Sequence, residues 1–359
     1  MDEQKRRKGA SLSDIARHVG VTVGTASRAL NGYQDISDAT RARVAEAARA
    51  LNYRPSSNAR RLARGTQETI GYVLPRHAIN RTDAFLPEML EGISQALSAR
   101  DFDLLVVSLE SAGDELDSYR RLVESGKVSG LIVARTLTDD PRVAYLSEAG
   151  VPFVCHGRTA ACDRHAWLDI DNEKAAADAL HHLHNMGHGS IAMIAADPTF
   201  NFARLRIAGY RKALDEHGLE ERAGYLQTAD LSAESGAGAM LRLLDLDAPP
   251  TGVICVTDMV AIGAMQAARE KGLAVGRDIS VIGYDGLPVA AFTDPPLTTM
   301  TQDVIETGRR VTEILLQIID GKPPTDFQEM WNARLIKRGS DGPPATAAST
   351  ARQRAPQGE

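Results

Sequence analysis

Residues 20–33, GVTVGTASRALNGY, lie between an amphipathic run and a Ser-capped segment, a short distance after the basic cluster KRRK. In the preceding SLSDIARHVG, Leu12, Ile15, Ala16 and Val19 recur at helical spacing, and Ser11 followed three positions on by Asp14 has the spacing of a capping box. Gly20 can close that helix in a left-handed conformation. Thr22 can then cap a second short helix that turns Ala26, Ala29 and Leu30 inward and stops at Asn31-Gly32. Ser37 can cap a third, in which Val44, Ala47, Ala48 and Leu51 share one face while Arg41, Arg43 and Arg49 stay outside, and Pro55 stops it. The pattern predicts a three-helix unit with a helix-turn-helix at its front.

What the second helix leaves exposed decides the unit's use. Val23, Gly24, Thr25, Ser27 and Arg28 fall at and after its amino terminus, where this motif reaches base edges in the major groove. Arg28 is the natural bidentate donor to guanine O6 and N7. Hydroxyls such as those of Ser11, Thr22, Thr25 and Ser27, together with Asn31, Arg41 and the basic outer face of the third helix, are candidates for the docking contacts, chiefly to phosphates. Charge agrees: residues 1–65 hold 13 Lys+Arg against 6 Asp+Glu, while the rest of the chain holds 28 against 41. A basic end on an acidic body points to a polyanionic partner. The competing reading is a three-helix protein-interaction module.

The whole of SLSDIARHVGVTVGTASRALNGYQDISDATRARVAEAARALNYRPSSNARRLARG resembles, without gaps, the headpiece of the LacI family of bacterial transcription regulators. It combines the D-I-A start, the G-V-T-x-x-T-x-S-R-x-L-N core and the L-N-Y-x-P-x-x-x-A-R-x-L hinge. By that resemblance Val23 and Gly24 occupy the positions that most often set operator choice; neither side chain donates a hydrogen bond, leaving apolar contact with a thymine methyl or no direct readout there. SSNARRLARG is too short and Arg-rich to hold an isolated helix in water and is expected to order on DNA. There the resemblance makes Leu62 the minor-groove wedge, flanked by Asn58, Ala59 and Arg60, with Arg60, Arg61 and Arg64 toward phosphates. Read without the resemblance, Leu62 is a leucine buried under a linker.

Beyond residue 68, short apolar runs such as IGYVLP, SGLIVA, SIAMIAA and ISVIGYD alternate with helical segments, which argues for parallel sheets covered by helices. The resemblance continues to about residue 338 and implies a type I periplasmic-binding-protein-like α/β core of two doubly wound lobes behind the small all-α headpiece. The expected organisation is a basic disordered tail over 1–10, headpiece over 11–54 and hinge over 55–66. Lobe 1 is expected over about 68–169 and 299–326, lobe 2 over about 170–298 and 327–338, and a disordered tail over 339–359. The chain would cross near residues 169–171, near 298–302 and near 327.

Open α/β folds bind ligands at the carboxyl ends of their strands. Arg206 in RLRIAGY and Asp285 after VIGYD match the family's effector-binding arginine and aspartate, and Phe85 its ring-stacking aromatic. Arg135, His156 and Thr257 also follow strands and are candidates for the cleft. Thr257-Asp258 stands where the family often has Asn-Asp, and Leu231 where some sugar-responsive members have tryptophan, which leaves the ligand's identity open.

Cys155, Cys162 and Cys255 are widely spaced with no C-x-x-C, so neither a disulfide framework nor a zinc site is expected. His181, His184 and His188 lack a carboxylate or cysteine to complete a tetrahedral set, and no metal is expected. No G-x-S-x-G, Walker loop or H-E-x-x-H appears, nor a signal peptide or membrane span, so a cytoplasmic non-enzyme without cofactors is expected. The reading is a homodimeric repressor of a carbohydrate operon that binds pseudo-palindromic operator DNA and is released by a sugar. The alternatives are a corepressor-dependent regulator answering to a purine-like or other metabolite, and a soluble sugar-binding transport protein.

Overall fold

The computed structural model describes residues 10–30, 33, 35–53, 68–74, 85–108 and 114–345. Asn31 and the hinge candidates Asn58, Ala59, Arg60 and Leu62 lie outside the described residues. Contacts divide the chain into two compact units between Gln67 and Glu68.

The first unit holds helices α1 (Leu12–Val19), α2 (Val23–Leu30) and α3 (Asp38–Ala50). Ser11 and Asp14 form a complete capping box, and Gly20 ends α1 at φ 75°. Ile15, Ala16, Val19, Ala26, Ala29, Val44 and Ala47 interlock as its core. Pro55 is not what stops α3. Asn52 turns left-handed at φ 50°, and Tyr53 N–H reaches the Ala48 carbonyl at 2.9 Å while Asn52 N–H reaches Arg49 at 3.1 Å. That paired closure is a Schellman motif, so the helix has ended before the proline arrives. The outer basic face of α3 is also partly committed: Arg43 donates to the Val19 carbonyl at 2.7 Å, satisfying the open end of α1.

The second unit contains two six-stranded sheets of the same plan, each with helices on both faces. The first runs in the order β2 (Asp103–Val107), β1 (Thr69–Val73), β3 (Gly130–Ala134), β4 (Phe153–His156), β5 (Ala166–Ile170), β11 (Gln328–Trp331). The second runs β7 (Leu226–Thr228), β6 (Ile191–Ala195), β8 (Gly252–Cys255), β9 (Ser280–Asp285), β10 (Thr298–Thr301), β12 (Arg334–Ile336). Strands β1, β3, β5, β6, β8 and β9 are buried along their whole length, as two-sided parallel strands require. Helices α4 (Phe85–Ser98), α5 (Glu115–Glu124), α6 (Pro141–Glu148) and α11 (Val304–Ile319) serve the first sheet; α7 (Asn172–Asn185), α8 (Asn201–Glu216), α9 (Ala233–Leu244) and α10 (Asp258–Glu270) serve the second. Glycines set the closest helix approaches: a Cβ on Gly209 of α8 would sit 2.0 Å from the Glu173 carbonyl oxygen of α7.

Two boundaries differ from expectation. β10 pairs with β9 and β11 pairs in parallel with β5, so lobe 2 keeps residues 298–301 and lobe 1 keeps 328–331. The third crossing therefore lies between Trp331 and Arg334 rather than near 327, where β12 turns back antiparallel to β10. A short strand that adds to the first sheet's edge gains main-chain hydrogen bonds there, and the chain leaves only afterwards.

Residues 339–345 are likewise packed and not a loose tail. Ser340 is fully buried, its Oγ donating to the Val281 carbonyl at 2.6 Å and accepting from Thr298 N–H at 2.8 Å. Asp341 lies 2.5 Å from His182 Nε2, and the Gly342 carbonyl lies 2.9 Å from His188 Nε2. This segment satisfies backbone groups at the start of β9 and β10 that would otherwise be buried unpaired.

Candidate DNA-reading helix and effector cleft

On the headpiece, α2 presents its amino-terminal residues to solvent. Val23 is 46 % exposed, and Gly24 is exposed, with only Thr22 Oγ1 near the place a Cβ would take, at 3.9 Å. Thr22 Oγ1 accepts the Thr25 amide at 3.1 Å and pairs with Thr25 Oγ1 at 2.8 Å, which caps α2 in place of a longer side chain. Ser27 is half-buried. Arg28 is half exposed, ion-paired with Asp35, with Cζ 5.4 Å from the centre of the Tyr33 ring. Two other candidates are occupied locally. The Ser11 hydroxyl belongs to the capping box, donating to Asp14 at 2.6 Å. Arg41 donates to Asp38 at 2.6 Å and to the carbonyls of Tyr33 and Ile36 at 3.1 and 3.0 Å, bracing the α2–α3 turn.

In the core, Phe85, Arg135, His156, Arg206, Thr257 and Asp285, far apart in sequence, line one cleft between the lobes. Its space, counted out through the open mouth into solvent, is about 880 Å³. Arg206 projects from α8 with only 6 % of its surface exposed. Its Nε donates to Asn172 Oδ1 at 2.8 Å, another N–H takes the Val256 carbonyl, and the guanidinium lies 3.3 Å above the Tyr284 ring. So held, it is a charge fixed at the cleft wall rather than a mobile surface arginine. Asp285 ends β9 at φ 110° and accepts from Gln302 Nε2 at 3.0 Å. Thr257 caps α10, its hydroxyl accepting Val260 N–H at 3.2 Å. His156 stacks on Phe85 with ring centroids 5.7 Å apart. Burial pushes His156 down to about 4, with Arg206 and Arg135 acting in the same direction, so the imidazole is neutral near pH 7.

Asp169, Asn172, Phe202, Met259 and Gln302 line the same cleft and were not singled out by sequence reasoning as ligand residues. Burial pushes Asp169 up to about 6, against the pull of Arg158, whose Nε lies 3.2 Å from its carboxylate. The signal for Asp169 was present: an acidic residue directly after the apolar run AWL, at a strand end. Leu231 does line the cleft, at φ 71°, so an aliphatic group occupies the place expected for a stacking platform. Asp258 does not line it. Its carboxylate accepts from Thr299 Oγ1 at 2.6 Å and from Leu287 N–H at 2.7 Å, anchoring the loop after Asp285.

Beside the cleft the lobes are tied by main chain. Leu137 and Phe200 form an antiparallel bridge, with Thr138 N–H on the Thr199 carbonyl at 3.0 Å and Asn201 N–H on the Thr136 carbonyl at 2.9 Å. Asn201 Nδ2 adds a bond to the Arg158 carbonyl at 2.7 Å.

The relatives fall in line with this division into helical headpiece and two-lobed cleft. The profile of bacterial regulatory proteins of the lacI family matches residues 11–56, and that of a periplasmic binding protein-like domain matches residues 180–340. The HTH-type transcriptional regulator RafR of Escherichia coli is 36 % identical over 323 residues, 89 % of this chain and 95 % of RafR.

The chain belongs to the LacI family of bacterial transcription regulators.

A lac repressor dimer bound to operator and the anti-inducer ONPF superposes with a TM-score of 0.81 at 29 % identity, covering 93 % of this chain and all of that one. A complex of the transcriptional regulator CelR with cellobiose superposes at 0.71, also at 29 % identity, covering 92 % of this chain and 99 % of that one. This LacI-family member is thus a DNA-binding transcription regulator, and its similar proteins are regulators, not enzymes. Among the described residues no helix is long and apolar enough to cross a membrane. Nor, among them, does any group of three His, Cys, Asp or Glu side chains have the arrangement of a metal site. His181 instead lies 2.7 Å from His217, on which His184 stacks, while His188 is turned inward to Thr251 and Gly342.

Proposed function

We propose that the protein is a cytoplasmic, homodimeric repressor of a carbohydrate uptake or catabolic operon, bound to a pseudo-palindromic operator and released by a sugar. The observation that carries the sugar is the cleft, where fixed polar groups (Arg206, Asp285, Asn172, Gln302) face the aromatic Phe85 and Phe202. That is the pairing a polyhydroxylated ring with an apolar face calls for. The cellobiose carried by CelR supports the same class.

Arg28 reads a guanine in each half-site, Val23 and Gly24 make apolar contact, and Thr25 and Ser27 set the helix against the backbone. The hinge around Leu62 folds in the minor groove. Sugar bound between the lobes changes their relative angle, and with it the separation of the two hinges. A coupling of about 1–3 kcal/mol, some 5–150-fold in operator affinity, is the scale such linkage requires. The test is fluorescence anisotropy on DNA selected by the protein from a random pool, titrated with mono-, di- and trisaccharides and purines at fixed salt. Release by one sugar is expected; tightening by a purine makes the protein corepressor-dependent and overturns the proposal.

A further inference from the structure

Arg28 does not stand alone on the recognition face. Its Nη2 is paired with the Asp35 carboxylate, and the Tyr33 ring lies beneath its guanidinium. Both partners sit on the turn between α2 and α3. That turn is braced by the two bonds from Arg41 to the Tyr33 and Ile36 carbonyls and by Tyr33 N–H on the Arg28 carbonyl at 3.1 Å. The side chains of Arg28 and Asp35 are 53 % and 47 % exposed, and an ion pair that open adds little to stability. Its consequence lies in what the guanidinium is free to bind.

We propose that Asp35 is a specificity-determining residue for DNA recognition. It holds Arg28 oriented and charge-compensated, so that a guanine edge, and not a passing phosphate, draws the guanidinium into contact. The proposal rests on Arg28 being the base-reading residue. Phosphates attract any unpaired arginine on every sequence, which raises affinity without discrimination. A carboxylate on Nη2 offsets that attraction and repels the backbone itself. A guanidinium has five N–H donors, so with one taken by Asp35 another edge remains for the two aligned acceptors O6 and N7. The Tyr33 ring limits the swing of the side chain and lowers the ordering cost of that contact.

The experiment uses the full-length protein with two duplexes of equal length: one recovered by the protein from a randomised pool, and a scrambled one. Anisotropy titrations over a range of salt compare wild type, Arg28→Ala, Asp35→Asn, Asp35→Glu and the Arg28→Ala/Asp35→Asn double variant. Asp35→Asn is expected to tighten the scrambled duplex on the order of threefold to tenfold and to steepen its log–log salt slope by about 0.9 per headpiece. The selected-to-scrambled ratio should fall by a similar factor, Asp35→Glu should restore it, and Asp35→Asn should leave it unchanged once Arg28 is alanine. An unchanged ratio in Asp35→Asn overturns the proposal. So does an equal fall in the Arg28→Ala background, which makes Asp35 a diffuse charge, or weaker binding to both duplexes, which makes it a structural residue. If Arg28→Ala itself leaves the ratio intact, the reading of Arg28 fails first and takes the proposal with it.

Discussion

The headpiece and the cleft build their sites in opposite ways. The headpiece hides a small core of Ala, Val and Ile and shows its candidate readers on the outside, within one short helix and the turn after it. The cleft takes its candidates from strand ends and helix starts between Phe85 and Gln302 and holds its charged ones largely buried, each fixed by neighbours. A surface reader is set by caps three or four residues away; a cleft residue is set by the meeting of two sheets. Substitutions should therefore act locally in the first unit and through packing in the second.

The sharpest break comes from Arg206→Ala. It leaves Asn172 Oδ1 and the Val256 carbonyl without their donor and removes the charge from the cleft. Effector response should disappear, with ligand affinity lower by about 100-fold or more, while operator binding without ligand is kept; calorimetric titration and anisotropy on the same variant test both halves. Gly209→Ala comes next. Its methyl group has no room against the Glu173 carbonyl, so α7 and α8 must separate, at a cost of about 3 kcal/mol or more to the core. Denaturant unfolding should show the loss in the core transition, with the headpiece transition unmoved.

On the other side of the comparison, Arg28→Ala should cost about 1–3 kcal/mol on the selected operator and relax preference at one base pair per half-site. A uniform loss over all sequences would make Arg28 a phosphate contact. Ser11→Ala removes the cap of α1 and should lower headpiece stability by about 1 kcal/mol, leaving the core's melting temperature unchanged.

The smallest effect is a pH dependence hidden by cancellation. Asp169, raised to about 6 in the folded state, adds stability as pH falls from about 6 toward its unfolded value of 3.8. His156, lowered to about 4 from 6.5, loses stability over the same window, because the unfolded imidazole takes up a proton that the folded one refuses. Asp169→Asn should make the core's loss of stability between pH 6 and 4 steeper and His156→Asn should make it shallower, read as melting temperature against pH.

The same contrast explains what was legible in the sequence. Ser11 with Asp14, Gly20 and Ser37 announce the headpiece helices because each cap acts on atoms a few residues away. The cleft's six candidates were found by strand-end position and family resemblance together. Asn172 and Gln302 were not, because what brings them to the cleft is where the chain crosses between lobes, and neither was Phe202, which enters from the start of α8 within lobe 2. The crossing misplaced at 327 turned on β11 and β12, of four and three residues, too short to show a period that assigns them to one sheet or the other. Residues 339–345 read as a Pro-rich polar tail because their place in the fold depends on one Ser340 hydroxyl meeting Val281 and Thr298.

That returning segment has a consequence for synthesis. Everything the headpiece needs for its core is present once residue 53 has left the ribosome, so it can fold early and alone. Lobe 1 waits for β11 to complete its sheet, and the buried starts of β9 and β10 wait for Ser340. The helical unit thus emerges with its core complete well before the body that follows it can close.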